Sequence, residues 1–258
     1  MATKLVITGG TDRSGTDEPI RSLTLSAGES LAVVGPTGSG KSEFLADVEQ
    51  MADRDTPSGR AVSFIRNGPP VTGQSLVATL SQRTHFIMDA TVGEFARLHA
   101  ASLGKDGKDQ GGNWPGDWAS DVVALANTLC GEPMTEESLL QRLSGGQTRA
   151  LMIADIALIS DAPVVLIDEV ENAGIDKHLA VESLAGHGKI TIIATHDPVL
   201  MLSSPKRLVM AMGGMRHLHE MNETETRCRE QLETLDNILL AARERLRKGE
   251  RLKEAHLA

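Results

Sequence analysis

A glycine-rich segment that ends in lysine and serine carries the clearest residue types for phosphate chemistry. It reads Gly35-Pro36-Thr37-Gly38-Ser39-Gly40-Lys41-Ser42 and fits the pattern G-x-x-x-x-G-K-[ST]. In such a loop, successive backbone N–H groups point inward and bind anionic phosphates, and a following helix adds its positive N-terminal end. Lys41 can reach the β- and γ-phosphates, and the Ser42 hydroxyl can ligate Mg²⁺. The segment therefore predicts a site for a nucleoside triphosphate and its magnesium ion.

A second apolar run, Val164-Val165-Leu166-Ile167, is followed by two carboxylates, Asp168 and Glu169. Asp168 is suited to hold the Mg²⁺ opposite Ser42. Glu169 can polarise a water molecule that attacks the γ-phosphate. An acidic pair after a strand can also be a plain helix cap. The phosphate loop upstream favours the catalytic interpretation.

A third segment, Leu143-Ser144-Gly145-Gly146-Gln147, precedes an apolar helical run. A serine N-cap with two glycines behind it exposes backbone donors at a helix start, which makes a second anion-binding site. One chain does not need two such sites for one triphosphate. We therefore expect the second site to serve a nucleotide held by another copy.

Short apolar runs supply the strands that must position these segments. They alternate with helical stretches, and this pattern predicts an α/β fold with a mostly parallel sheet. In such sheets the ligand lies at the carboxyl ends of the strands. Three apolar runs are directly followed by the segments that carry the polar, chemically active residues: 31–34 (LAVV), 164–167 (VVLI) and 190–194 (ITIIA).

Strand signals vanish between about Thr91 and Thr148, and helical signals replace them. We interpret residues 91–148 as a helical subdomain inserted into the α/β domain.

The final segment, 222–258, has no strand signal and predicts a helical tail. Leu232, Leu235, Leu239, Ala242 and Leu246 recur at alternating steps of three and four, as in a short heptad stripe. Two interpretations stay open: an amphipathic helix that lies on its own domain, or a contact with a second copy or another partner.

Composition excludes several classes of function. A net charge of −9 argues against nucleic acid as a partner, because phosphate contacts need a basic face. Aromatic residues make up only 2% of the chain, with no Tyr, so base-stacking platforms are not expected either. The two cysteines, Cys130 and Cys228, are too few for a disulfide framework. No apolar run reaches the ~20 residues of a membrane helix, and the N-terminus does not read as a signal peptide. We expect a cytoplasmic protein that reaches the inner face of the membrane only through a partner.

Taken together, these motifs resemble the nucleotide-binding domain of the ATP-binding cassette (ABC) ATPases. The matching elements follow the family's order: GPTGSGKS at 35–42, Gln82, LSGGQ at 143–147, VVLIDE at 164–169 and His196. The resemblance covers roughly Met1 to His219. It implies a P-loop NTPase core formed by 1–90 and 149–221, a helical subdomain at 91–148 that carries the signature, and a tail at 222–258.

The resemblance also implies roles for residues around one ATP. The phosphate loop would bind phosphate and Mg²⁺ through Gly38, Gly40, Lys41 and Ser42. Gln82 would contact the metal or the water, Glu169 would act as the base, and His196 would hold the γ-phosphate and the attacking water. Residues 144–147 and Asp176 would act across a dimer seam, on ATP bound by the opposing copy.

Two departures from the family pattern are visible. Family members usually stack adenine on an aromatic residue some two dozen positions before the loop lysine, but no aromatic residue precedes Phe44. Arg13 lies near the expected position, and a guanidinium plane can stack in place of a ring. The segment that leads to the seam aspartate, 170–176, reads VENAGID and differs from the family's usual sequence.

The function predicted from these residues is an ATP-hydrolysing cassette with ATP and Mg²⁺ as cofactors. It would dimerise around ATP with a second cassette and power a separate membrane permease. The alternative is an ABC ATPase that remodels or activates another protein complex, as in cofactor assembly or repair, without transport. A clamp that binds ATP without hydrolysis is disfavoured, because both Glu169 and His196 are present.

Overall fold

Six strands form a predominantly parallel sheet in the computed structural model, which describes residues 3–71, 76–81, 86–105, 117–168 and 174–253. In spatial order they are β10 (Gly214–Glu220), β9 (Lys206–Ala211), β3 (Ser30–Val34), β8 (Ile190–Ala194), β7 (Val164–Asp168) and β6 (Val77–Leu80). Strands β9 to β6 run parallel to their neighbours, and the edge strand β10 is antiparallel. The predicted α/β fold class is confirmed.

The three apolar runs form β3, β7 and β8, three neighbouring strands of this sheet. Their residues are buried almost throughout, which explains the unbroken runs of valine, leucine and isoleucine. Val33 pairs with Ala194, and Ala194 pairs with Asp168. The three strands therefore end side by side, and the segments that follow them start at one edge of the sheet.

A second, antiparallel sheet was not among the sequence-based predictions. Its strands, in spatial order, are β2 (Ser22–Ser26), β1 (Thr3–Thr8), β4 (Ala61–Arg66) and β5 (Pro70–Val71). Leu5 of β1 and Phe64 of β4 are buried, and they share one apolar cluster with Val33 of β3 and Phe44. The antiparallel sheet thus packs in the same core as the strand and helix that flank the phosphate loop.

The part of the chain that the structure describes also contains α-helices. They are α1 (Lys41–Glu49), α2 (Val92–Ser102), α3 (Trp118–Leu129), α4 (Gly145–Leu158), α5 (Lys177–Gly186), α6 (Pro198–Met201) and α7 (Glu223–Arg247). The stretch expected to be helical holds α2, α3, a 3-10 turn and the start of α4. Ala96 of α2, Val122 of α3 and Val165 of β7 belong to one apolar cluster. The helical segment is therefore continuous with the core beneath the sheet.

The tail forms a single helix, α7. Leu235, Leu239 and Leu246 of its apolar stripe stay more than half exposed, whereas Ala242 is covered. Within the described part of the chain, no helix combines the length and the apolar character needed to cross a bilayer.

Candidate nucleotide-binding site

The phosphate loop connects β3 to α1 through a left-handed turn at Gly40. Gly40 has φ 101° and serves as the N-cap of α1, whose first residue is Lys41. A Cβ atom on Gly40 would lie 2.7 Å from the Cα of Gly213, so both the backbone angle and the space require glycine. The turn leaves the N-terminal amides of α1 at the end of the loop, where an anion is favoured.

Lys41 and His196 meet at this loop. The Lys41 side chain is buried, and its Nζ donates a hydrogen bond to the Gly35 carbonyl at 2.8 Å. The same Nζ lies 3.2 Å from Nε2 of His196, which follows β8. The structure therefore brings together two residues that are 155 positions apart in the sequence.

The loop offers further groups that fit a bound phosphate. In the described part of the chain, the Ser39 hydroxyl is buried without a hydrogen-bond partner, so a phosphate oxygen can satisfy it. Ser42 is exposed in the first turn of α1, and Asp168 ends β7 two strands away from β3. Hydroxyl and carboxylate oxygens are the hard donors that Mg²⁺ prefers. The residues present thus fit a nucleotide with magnesium, although Glu169 and Gln82 lie outside the described residues.

A tight hairpin turn supports the loop from the side. Met212 and Gly213 connect β9 to β10 with φ values of 54° and 82°, as in a type I′ turn. The Gly213 N–H donates to the Ser39 carbonyl at 2.9 Å. A Cβ atom on Gly213 would meet the Arg13 side chain at 2.8 Å, so this position also requires glycine. The turn therefore fits between the phosphate loop and Arg13.

Arg13 lies against the phosphate loop. Its Nη1 donates to the Gly38 carbonyl at 2.8 Å, and its Nη2 lies 3.7 Å from the Glu43 carboxylate. About half of the side chain is exposed. The guanidinium is thus held beside the loop and stays half exposed.

A buried ionic cluster of Arg60, Glu18 and Asp47 fixes the same turn. Arg60 Nη2 donates to Glu18 and to the Gly213 carbonyl at 2.5 Å, and Nη1 donates to Asp47 at 2.8 Å. Burial acts to lower the pKa of Arg60, but hydrogen bonds and charge from Glu18, assisted by Asp47, raise it above its ordinary value. Glu18 also accepts from the Met215 N–H at 2.7 Å. The cluster therefore connects the residue before β4 of the antiparallel sheet with α1 and with the hairpin beneath the phosphate loop.

The segment that carries Arg13 is itself held by Asp12. The Ser14 hydroxyl donates to Asp12, and this bond is the largest effect that lowers the pKa of Asp12 to about 2. Burial acts in the opposite direction, while the Thr16 amide and Arg216 of β10 lower the pKa further. Asp12 therefore remains a carboxylate that connects this segment to the hairpin.

The signature segment starts α4 with a capping box. Ser144 is the N-cap; its hydroxyl accepts from the Gln147 N–H at 3.3 Å, and the Gln147 side chain accepts from the Ser144 N–H at 2.9 Å. The Gln147 amide also donates to the carbonyls of Glu132 and Pro133. Ser144 and Gly145 are exposed. The helix start predicted to bind an anion is present and open to solvent.

Residues 174–176 lie beside the signature helix and lead into α5. A Cβ on Gly174 would be 3.6 Å from the Cα of Gly146, and Asp176 caps α5 by accepting from the Leu179 N–H at 2.9 Å. The next residue, Lys177, forms an ion pair with Asp197, which directly follows His196. The segment expected at a dimer seam is thus bonded to the histidine segment of the same chain.

Sequence reasoning missed several residues that shape the site. Arg60, Glu18 and Asp47 are charged residues far apart in the chain, and no local pattern brings them together. Lys177 could have been suspected of a role at the site, because it directly follows Asp176, the aspartate predicted to lie at the dimer seam. The turn at Met212 and Gly213 could have been found as two residues between two strand-like runs.

Comparisons with known proteins give the class to which this fold and site belong. The model of the ABC transporter family matches residues 20–172, more than half of the chain. A relative from Methanocaldococcus jannaschii, described as an uncharacterized ABC transporter ATP-binding protein, is 46% identical over 254 residues, covering 96% of this chain and 94% of the relative.

Solved structures show the same fold. The ADP conformation of an ATP-binding cassette of an ABC transporter matches with a TM-score of 0.57 and 16% identity over 88% of this chain and 94% of that chain. A dimeric post-hydrolysis state of an ATP-binding cassette, bound to ADP and phosphate, matches with a TM-score of 0.55 and 20% identity over 85% and 99%.

The fold and site define an ATP-binding cassette ATPase, a P-loop enzyme that hydrolyses ATP. More particularly, the chain belongs to the ABC transporter family.

We predict that Arg60→Met lowers the free energy of unfolding by about 3–5 kcal/mol, because it leaves two carboxylates buried without a cation. Urea unfolding monitored by circular dichroism measures this change. The matched control is Arg21→Met, which removes an exposed ion pair with Asp17 and should change the value by under about 1 kcal/mol. Equal losses in both variants would contradict the structural role assigned to the buried cluster.

Proposed function

We propose that two cassettes close around ATP and that closure and reopening power a separate membrane permease. The observation that carries this proposal is the presence of two helix starts suited to anions, α1 behind the phosphate loop and α4 behind Ser144. The signature helix makes its hydrogen bonds with its own first turn and with residues 132–133, while its outer side is open to solvent. A second copy would supply the phosphate that this helix start lacks. The dimeric state of a structurally similar cassette supports this arrangement.

In each half of this dimer, Lys41 and the loop amides hold the phosphates, and Ser42 and Asp168 hold Mg²⁺. The magnesium ion supplies charge neutralisation at the β- and γ-phosphates when bound. His196, already 3.2 Å from Lys41, lies within reach of a γ-phosphate that Lys41 holds. Glu169 orients the attacking water and accepts its proton, and Gln82 contacts the metal or the water.

The ion pair of Lys177 with Asp197 connects the proposed dimer seam with the segment that carries His196. Asp176 contacts the opposing cassette in this proposal, and Lys177 is its neighbour in the chain. Asp197 also caps α6 through the Val199 and Leu200 amides, so its position is fixed from two sides. Closure at Asp176 therefore acts on the segment that holds His196.

Arg13 is the proposed contact for adenine. Its guanidinium rests on the Gly38 carbonyl and on the turn at Gly213, which keeps its plane beside the phosphate loop. Stacking on a guanidinium is less selective than a shaped pocket with hydrogen bonds to the base, so this site should discriminate weakly between ATP and GTP.

The permease would contact the helical segment next to Gln82. Phe86 packs edge-on against Phe95 of α2, with ring centroids 5.0 Å apart, and the adjacent Ile87 is 96% exposed. Met88 and Leu98 are exposed as well. Two exposed apolar side chains at the consecutive positions 87 and 88 favour a protein contact at this place.

We predict that Glu169→Gln slows ATP hydrolysis by about 10²–10⁴-fold, because the water loses its base, and that ATP-bound dimers accumulate. Light scattering after size exclusion, with and without ATP and Mg²⁺, measures the dimer. Adding Ser144→Arg should abolish it, because bulk and charge fill the γ-phosphate site. Ser120→Arg, on an exposed position of α3, is the matched control and should leave the dimer intact. An ATP-dependent dimer that survives Ser144→Arg would refute the shared site.

We further predict that tagged Glu169→Gln protein, expressed in its native cells, recovers a multi-span membrane protein in stoichiometric amount in ATP. Mass spectrometry of the solubilised membrane and soluble fractions identifies it. Ile87→Glu should lower the recovery by about tenfold or more, because it places a charge in the contact. Leu240→Glu, an exposed leucine on α7, should not.

Recovery of soluble enzyme subunits without any membrane protein would overturn the permease proposal. That outcome would favour ATP-driven remodelling of a protein complex.

A further inference from the structure

The strand order separates the two ends of a nucleotide bound at the phosphate loop. Asp168 and His196, which the proposed function assigns to the metal and the γ-phosphate, follow β7 and β8 on one side of β3. Strands β9 and β10 lie on the other side of β3. The base is at the opposite end of the nucleotide from the γ-phosphate. A nucleotide held by the loop after β3 therefore extends its base toward the turn between β9 and β10.

This turn touches both the phosphate loop and Arg13. The Gly213 N–H donates to the Ser39 carbonyl, and the Met212 carbonyl accepts a hydrogen bond from the Arg13 N–H at 2.8 Å. The aliphatic part of the Arg13 side chain lies against Gly213, and its Nη1 reaches the Gly38 carbonyl. Met212 thus stands beside Arg13 and one residue from a direct contact with the phosphate loop.

Met212 places an apolar side chain on the turn that the turn itself does not require. Its φ of 54° is left-handed, and glycine, asparagine and aspartate are the residues favoured at this position of a type I′ turn. The residue is 61% exposed, so packing in the core does not explain a methionine either. Met51 is the other methionine with a left-handed φ in the described part of the chain, and it packs against the apolar core.

We propose that Met212 packs against the base of the bound nucleotide, beside Arg13. The inference rests on the proposed assignment of Arg13 to the base. A methionine side chain is flexible and polarisable and makes favourable contacts with aromatic rings, so it supplies part of the contact area of the aromatic residue that is absent before Phe44. Its sulfur is only a weak hydrogen-bond acceptor. The contact therefore accepts adenine and guanine alike.

Calorimetric titration of the full chain with ADP and with pyrophosphate, both with Mg²⁺, tests the contact. ADP has no γ-phosphate, so neither hydrolysis nor the ATP-dependent dimer enters the measurement. Met212→Asn should weaken the binding of ADP by about three- to tenfold and leave the binding of pyrophosphate unchanged, because asparagine suits the turn but lacks the thioether. GDP should lose affinity to the same degree as ADP. Unchanged ADP affinity, or an equal loss for pyrophosphate, would overturn the proposal.

Met51→Asn is the matched control for this titration. It makes the same substitution at nearly the same backbone angle, φ 52°, but beyond the C-cap of α1, at the far end of that helix from Lys41. It should leave the affinities for ADP and pyrophosphate unchanged. Met212→Leu keeps an apolar side chain of similar volume and should retain ADP affinity within about twofold. An equal loss of ADP affinity in Met51→Asn and Met212→Asn would contradict a contact specific to Met212.

Thermal unfolding separates the contact from an effect on folding. Met212→Asn should unfold at a temperature no lower than the wild-type chain, because asparagine tolerates the left-handed conformation better than methionine. A loss of ADP affinity in a variant of unchanged stability then belongs to the removed side chain. A loss that appears only together with a lowered unfolding temperature, and is shared by pyrophosphate, would assign Met212 a purely structural role.

Methyl NMR of the chain with labelled methionines reports on the contact directly. The ring current of a purine shifts the resonance of a methyl group that packs against it, and pyrophosphate has no ring. Saturating ADP should therefore shift the Met212 resonance, assigned by its loss in Met212→Leu, much more than pyrophosphate does. The Met51 resonance should change little with either ligand. A Met212 resonance that ADP and pyrophosphate affect equally would overturn the proposal.

The roles of Met212 and Arg13 can fail separately. Weaker ADP binding in Arg13→Ala with unchanged binding in Met212→Asn would overturn the present inference and leave the assignment of Arg13 intact. The reverse result would remove Arg13 from the base and support the contact through Met212. Neither result bears on the closed dimer or the permease, because ADP binds to a single cassette in these measurements.

Discussion

The parallel arrangement of β3, β8 and β7 is the constraint on which the site depends. Because the three strands are neighbours and run in one direction, the phosphate loop, His196 and Asp168 all begin at one edge of the sheet. Each strand is buried almost throughout, so a shift of one residue in register would disturb the core as well as the site. The contact of Lys41 with His196 follows from this arrangement.

Support for the phosphate loop comes from outside that sheet edge. The hairpin turn donates one hydrogen bond to Ser39 and touches Gly40, and the Arg60 cluster holds the turn from below. A buried ion cluster is weak evidence for stability, but removal of one partner is strongly destabilising because it leaves an uncompensated buried charge. In this structure the cluster holds the turn at Gly213, and that turn packs against the backbone of the phosphate loop.

The sequence was most informative where chemistry and local pattern coincide. Residues 31–34, 164–167 and 190–194 could be predicted as buried strands because continuous apolar runs are typical of parallel sheets, and the loop at 35–42 has its own signature. The antiparallel sheet was missed because its short alternating strands pair over long distances, as Leu5 does with Phe64. The Arg60 cluster was missed for the same reason. Arg13 was proposed from its position in the sequence only, and its hydrogen bond to the Gly38 carbonyl could not be predicted without the fold. The apolar stripe of α7 could be predicted from the sequence, but the exposure of its leucines could not.

The central claim is that one ATP is held by the phosphate loop of one copy and the signature helix of another. A crystal structure of the Glu169→Gln chain with ATP and Mg²⁺ tests it most directly. The account predicts phosphate oxygens on the amides of 35–42 and on Lys41 of one copy, with Ser144 of the second copy at the γ-phosphate. ATP bound by one copy alone, with Ser144 still open to solvent in the crystal and a monomer in solution, would contradict it.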